Sequence, residues 1–536
     1  SADLSGLTTT SVTAAFDGTG TGIFTGNFGD ADVTVGNGAS LQTTKAKADG
    51  VTINGNGGLI LTDGTFSVAE INAHSGNMTG GITATLTAAS LTDLNSLRSE
   101  TGNTYTVTVN DATDDNLVAT TLSTLGSRTE GVVTVTNAVD INGSTDELTG
   151  ALVTTNTLVV ASAAHVTFTD APSVAEFKAI DIKTGGTNTY ATVEDNLSNL
   201  VTDAGDGTNA VAKDKAVTVT DTGTIAASDI STVSVNTTSA VDVTASTIIT
   251  GTATQLETIV NDSGVTTSTN YNVVVTGTGS DGAKTAEIDA INSDNGSGTM
   301  SIVSVVDTIN EITNFNGANV ANAAVLTSVT GEIVANGGIG QDTGDFTNFG
   351  KGITINGGDG RDVLTGSAFN DTISGGTDFD ELNAEAGGAD TFVFTSGDAR
   401  TGGISAFLYE QILSFNSADD KIDLSNAPSV VGANGAVTVT LNGNAGATVS
   451  SDANGKITFS TLDGTLVEEL AAVRTLVTTD GDVAFFELDD GVNGSGTYIY
   501  QENGTTNDDL FIFLKGVTGI DDISGTSGDA DTLFII

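Results

Sequence analysis

The sequence predicts a mostly β chain: an extended β-solenoid of strand plus short-helix repeats, followed by a parallel β-roll and a β-rich C-terminal module. Three observations carry this expectation. The first strand residues Ile82, Tyr105, Val133, Leu158, Tyr190, Val217, Val241, Tyr271 and Ile302 recur at intervals of roughly 23 to roughly 32 residues, the spacing of stacked coils. From Gly357 to Phe394 a glycine-and-aspartate phrase returns about every nine residues. The chain has 67 Gly but only Pro172 and Pro428, which points to turns in regular β structure rather than to linker.

Residues 1 to 80, with "VTINGNGGLILTDGTFSV", read as alternating strands joined by Asn-Gly and Asp-Gly turns. Residues 81 to 336 repeat a β-rich run, a polar turn and a short helical stretch. In the helical stretches Leu91, Leu94 and Leu97, or Leu256, Ile259 and Val260, share one face, with Thr92 and Thr254 as candidate caps. Tyr105, Tyr190 and Tyr271 open every third unit and are expected to pack in a strand ladder. Residues 337 to 394 form the roll. Residues 395 to 536 lose the strand-helix beat and gain aromatics, as in "VAFFELDD" and "DDLFIFLKG".

Charge selects the partners. Sixteen Lys and Arg stand against 67 Asp and Glu, a net charge of -51, so nucleic acid and anionic membrane surfaces are not expected as partners. Only 15% of residues are charged and the acids gather in Gly-rich turns, which favours cation binding over general salt adaptation. There is no Cys, hence no disulfide. No apolar run reaches the roughly 18 residues of a membrane span. Ser1 opens the chain without Met and reads as a processed end.

Gly357, Gly358, Asp359, Gly360, Arg361, Asp362, Val363, Leu364 and Thr365 fit the nonapeptide G-G-x-G-x-D-x-U-x, with U large and apolar. The next turns carry Asn370 and Asp371, then Gly375, Gly376, Asp378 and Asp380, then Gly388 and Asp390. Upstream, Gly337, Gly338, Gly340 and Asp342 match the loop half, but Gly344 stands where the apolar residue belongs. Glycines permit positive φ and expose carbonyls, so carbonyl and carboxylate oxygens can meet on one ion. Two nonapeptide turns make one level, so aspartates two motifs apart stack on the same edge. Asp362 and Asp380 obey this spacing, whereas Asp371 and Asp390 are separated by one residue more, an insertion assigned to Ala384. Hard, flexible, multi-oxygen ligation selects Ca²⁺.

This stretch resembles the calcium-binding β-roll of RTX proteins, which Gram-negative bacteria secrete through the type I pathway. The resemblance is close from Gly337 to Phe394 and looser to Ile536. It implies a further ion site at Asp419, Asp420 and Asp423 in "FNSADDKIDLS" and an uncleaved secretion signal in "DADTLFII". Ser367, Phe369 and Asp378 replace motif glycines, and the fourth turn begins with Glu385 and Ala386.

No enzyme is expected. His74 and His165 are the only histidines and no H-E-x-x-H or G-x-S-x-G is present. The five arginines, Arg98, Arg128, Arg361, Arg400 and Arg474, do not cluster as a lyase acting on acidic sugar needs. The expected function is that of a secreted, calcium-dependent structural protein that self-assembles on the bacterial cell surface, as surface-layer proteins do; an RTX adhesin is the alternative, followed by a carbohydrate-active enzyme on a β-helix. Expected partners are copies of itself, the type I secretion apparatus and a cell-surface polysaccharide.

Overall fold

The structure is a computed structural model that describes residues 13–16, 18–29, 31–154, 158–318, 320–385, 387–395, 398, 409–424, 428–441, 443–461, 465–489, 494–504, 509–524 and 532–535. The chain is sheet-rich, with 36% strand and 23% helix, and many of its sheets are parallel. It divides into two compact units, one made mostly of residues up to 225 and the other mostly of residues from 268 onward. Among the described residues no helix is long and apolar enough to cross a membrane.

In the first unit successive strands from Thr104 to Phe168 alternate between two sheets. Thr104–Val109, Val133–Val135 and Val159–Val160 join a seven-stranded sheet, while Asn116–Val118, Asp140–Gly143 and His165–Phe168 join a four-stranded one. All these pairings are parallel, Val107 facing Val133 and Leu117 facing Ile141. Alternate residues of the strands are buried, as in Ala39–Thr44, because the β period of two turns every second side chain inward.

Short helices interrupt the strands. Leu91, Leu94 and Leu97 are buried as expected, and in the second unit so are Leu256 and Ile259, with Val260 half-buried. The caps lie two residues earlier than the sequence suggested. Ser90 accepts from the Asp93 N–H, and Thr252 forms a capping box with Gln255. Each has the extended backbone that an N-cap needs, whereas Thr254 already sits in the first turn and donates to Glu287 at 2.7 Å. Tyr105 and Tyr271 are buried at or beside strands. Tyr190 lies outside the strands and packs half-buried against Phe168 and Phe177.

In the second unit the alternation tightens. Thr354–Asp359, Thr372–Thr377, Thr391–Phe394 and Lys421–Leu424 are consecutive members of one eight-stranded sheet. Thr343–Asp345, Val363–Thr365, Glu381–Asn383 and Glu410–Leu413 are consecutive members of another. Thr354 pairs with Thr372 and Val363 with Glu381, both at the offset that separates Asp362 from Asp380. The offset grows by one where Thr372 pairs with Thr391. Asn383 still keeps the shorter offset from its partner Thr365, so the extra residue lies after it, beside Glu385, whose φ of 58° is rare for a side-chain-bearing residue.

Both sheets run beyond residue 394. One continues through Leu510–Lys515 and then, antiparallel, through Ser495–Gln501 and Asp482–Asp489, over a core where Tyr498 stacks with Phe486, Phe511 and Phe513. The other continues through Thr532–Ile535, which pairs antiparallel with Lys421–Leu424 and buries Leu533 and Ile535, and ends on Ile523–Ser524. Ser1, Arg400 and the acidic part of the tail, 529–531, lie outside the described residues.

Candidate functional site

The Gly-rich turns follow from backbone geometry. Gly358, Gly360, Gly376 and Gly388 have φ of 107°, 125°, 94° and 94°, a region that suits glycine. Asp378 takes the place of Gly360 one level on and holds φ 81°. Inward-facing Leu364, Ile373, Leu382 and Phe392 are fully buried. At Gly344 the missing apolar side chain is replaced from elsewhere: a Cβ there would meet Phe346 at 2.8 Å and Ile309 at 3.0 Å.

Asp342, Asp362, Asp371, Asp380, Asp390 and Asp420 each stand immediately before a strand and Glu410 opens one, and these acids form two hydrogen-bonded rows. On one edge the Asp342 N–H donates to Asp362 Oδ1 at 2.7 Å, the Asp362 N–H to Asp380 Oδ1 at 2.7 Å, and the Asp380 N–H to Glu410 Oε2 at 3.3 Å. On the other the Ile353 N–H donates to Asp371 Oδ1 at 2.8 Å, the Asp371 N–H to Asp390 Oδ1 at 2.8 Å, and the Asp390 N–H to Asp420 Oδ1 at 2.9 Å. Asp362, Asp371, Asp380, Asp390, Glu410 and Asp420 are all buried.

The second carboxylate oxygens divide into two classes. Asp342 Oδ2 accepts from the Gly338 N–H at 2.8 Å, and Asp420 Oδ2 from the Asn416 N–H at 2.8 Å. Asp371 is held by the N–H of Ser367 and, at 2.9 Å, by its hydroxyl. The serine that replaces a motif glycine thus completes the aspartate of its own turn. By contrast, Asp362 Oδ2, Asp380 Oδ2, Asp390 Oδ2 and Glu410 Oε1 are buried without a hydrogen-bond partner.

Burial, reinforced by neighbouring carboxylates, lifts Asp362 to about 6 and Asp380 and Asp390 to about 7, against the pull of their backbone donors. Burial sends Glu410 well above its usual range, with Asp380 and Asp398 adding to the effect. Asp371 and Asp420 are raised by burial too.

The other expected residues lie away from these rows. Asp359 is exposed and accepts from Thr377 at 3.0 Å, and Asn370 is exposed and accepts from the Ala389 N–H at 2.9 Å. Asp378 is exposed. Of the three later aspartates, Asp420 joins the second row, Asp419 is exposed beside Asn416, and Asp423 lies within the strand Lys421–Leu424. Among the described residues no three His, Cys, Asp or Glu side chains converge on one metal position. Glu410 was missed because it follows Asp380 at a far longer interval than the repeat's own; its signal is the pattern of acid, any residue, apolar residue in Glu410, Gln411 and Ile412, which repeats Asp362 to Leu364.

No family model matches the chain, and no curated protein matches it.

The rows make a direct comparison available. Asp362→Ala is expected to weaken calcium binding by about ten-fold or more, whereas Asp221→Ala leaves it unchanged, because Asp221 instead accepts from the Leu197 N–H at 2.6 Å at a helix start. Equal calorimetric affinities in the two variants would contradict this assignment.

Proposed function

We propose that the chain is a secreted, calcium-dependent structural protein that self-assembles at a bacterial cell surface, built as a β-solenoid whose second part is a calcium-binding β-roll. The observation that carries this reading is the pair of buried carboxylate rows with orphaned oxygens in consecutive Gly-rich turns. A buried carboxylate without a partner is costly, and a row of them is tolerable when a cation shares their charge. Asp362, Asp380 and Asp390 would hold calcium together with main-chain carbonyls of the glycine turns; the ion supplies charge neutralisation and ties one level to the next.

Self-assembly follows from charge and repetition. At -51, copies repel one another over a Debye length of about 8 Å at physiological salt, so close lateral contact requires bridging or neutralising cations. Calcium met outside the cell would fold the roll and permit contact, making assembly conditional on export. Electron microscopy of the protein with calcium is expected to show sheets or filaments that dissolve when excess chelator is added. Monodisperse particles at every calcium concentration would overturn the assembly reading and favour an adhesin.

A further inference from the structure

Asp380 is the last repeat aspartate on its edge, and the chain abandons the repeat interval before returning to that edge with Glu410. The return is in register: the Gln411 N–H donates to the Asp380 carbonyl at 2.9 Å, as the Glu381 N–H does to that of Asp362 at 2.9 Å. A longer acid has been placed at the next level of the row. Glu410 is fully buried, its Oε2 takes the Asp380 N–H, and its Oε1 has no partner; Asp380 Oδ2, one level before, is likewise buried and unpartnered.

Asp398 is the third acid of this neighbourhood. It is buried and accepts from Thr395, through the N–H and, at 2.6 Å, the hydroxyl. Its charge acts on both Asp380 and Glu410. None of the three belongs to an ion pair among the described residues. Two carboxylate oxygens stranded in a dry interior on adjacent levels, with a third acid nearby and no basic side chain paired to any of them, require a cation or protons.

We propose that Glu410 and Asp380 form a divalent-cation site, taking calcium as the hard, oxygen-preferring ion of that class, which closes the end of the first carboxylate row outside the glycine-aspartate repeats. The site uses no motif glycine on its Glu410 side, so it is a feature of this chain rather than of the nonapeptide. It rests on the calcium reading above, which it extends from the repeat turns to the return strand Glu410–Leu413.

Glu410→Gln tests the site in the full chain. The amide keeps the shape and an acceptor for the Asp380 N–H but removes the charge. Calorimetric titration with calcium is expected to show one ion fewer, or one ion weakened by about ten-fold or more, the remainder binding as in the unaltered chain. In chelator the same variant is expected to melt at a higher temperature than the unaltered protein, because the cost of burying the carboxylate, ionised or protonated on folding, has been removed. A purely structural glutamate gives the opposite: a lower melting temperature in chelator and unchanged calcium binding. Unchanged binding, or a variant that fails to fold in chelator, overturns the proposal. If the unaltered chain binds no calcium, the broader calcium reading fails with it, and that result is distinct from unaltered binding in the variant.

Discussion

With calcium removed, the melting temperature of the protein is expected to fall as the pH is raised from about 4 to about 8. Asp362 titrates at about 6 and Asp380 and Asp390 at about 7 in the folded chain, against 3.8 when exposed. Between these values the folded state holds protons that the unfolded state has released. Their stabilisation is therefore complete below pH 3.8 and is lost as the pH passes through the folded values. Under the calcium reading proposed above, added calcium is expected to reverse the trend, because cation and proton would compete for the same oxygens and the cation would win once the carboxylates ionise. Scanning calorimetry of the unaltered chain beside a variant carrying Asp362→Asn, Asp380→Asn and Asp390→Asn separates this effect from relief of the overall negative charge. The variant should have the shallower slope, and equal slopes would refute the account.

The second large effect is steric and lies in one row of glycines. Gly338, Gly358 and Gly376 occupy the same place in successive levels. A Cβ on Gly338 would meet nothing within 4 Å, whereas one on Gly358 would lie 2.3 Å from the Gly338 carbonyl oxygen and one on Gly376 2.0 Å from that of Gly358. The last two also have positive φ. Gly358→Ala and Gly376→Ala are therefore expected to cost on the order of 4 kcal/mol each, by backbone clash and strain together. Gly338→Ala, at the open end of the row, should cost well under about 1 kcal/mol. Urea unfolding of the three variants in saturating calcium measures this directly, and equal midpoints would show that the levels do not stack as described.

The repeat was legible in the sequence because its period is imposed by the backbone. A positive-φ turn favours glycine, an inward position must be apolar, and both return whenever the chain completes a level. Val363–Thr365 and Glu381–Asn383 are three-residue strands, but Thr354–Asp359 and Thr372–Thr377 run six residues, because Gly358 pairs with Gly376 and Asp359 with Thr377 in an extended ladder. What escaped the sequence were partners set by distance in space. Glu410 enters its row after an excursion of irregular length. Ser367 looks like a damaged motif, yet its hydroxyl satisfies Asp371. Ile309, from a distant helix, fills the gap at Gly344 together with Phe346 two residues on. Ser90 and Thr252 were passed over for Thr92 and Thr254 because cap position depends on where the extended backbone turns, and side-chain type alone does not fix it.

The even register between paired strands also bears on how the protein yields under load. Strands hydrogen-bonded side by side part in succession when one end is drawn away, and each parting frees the chain up to the next paired strand. One level of slack, roughly 18 residues, extends to about 60 Å, after which the next ladder takes the tension. Stretched between two tethers, this part of the molecule would lengthen in nearly equal steps and so absorb work where a single cooperative rupture would not.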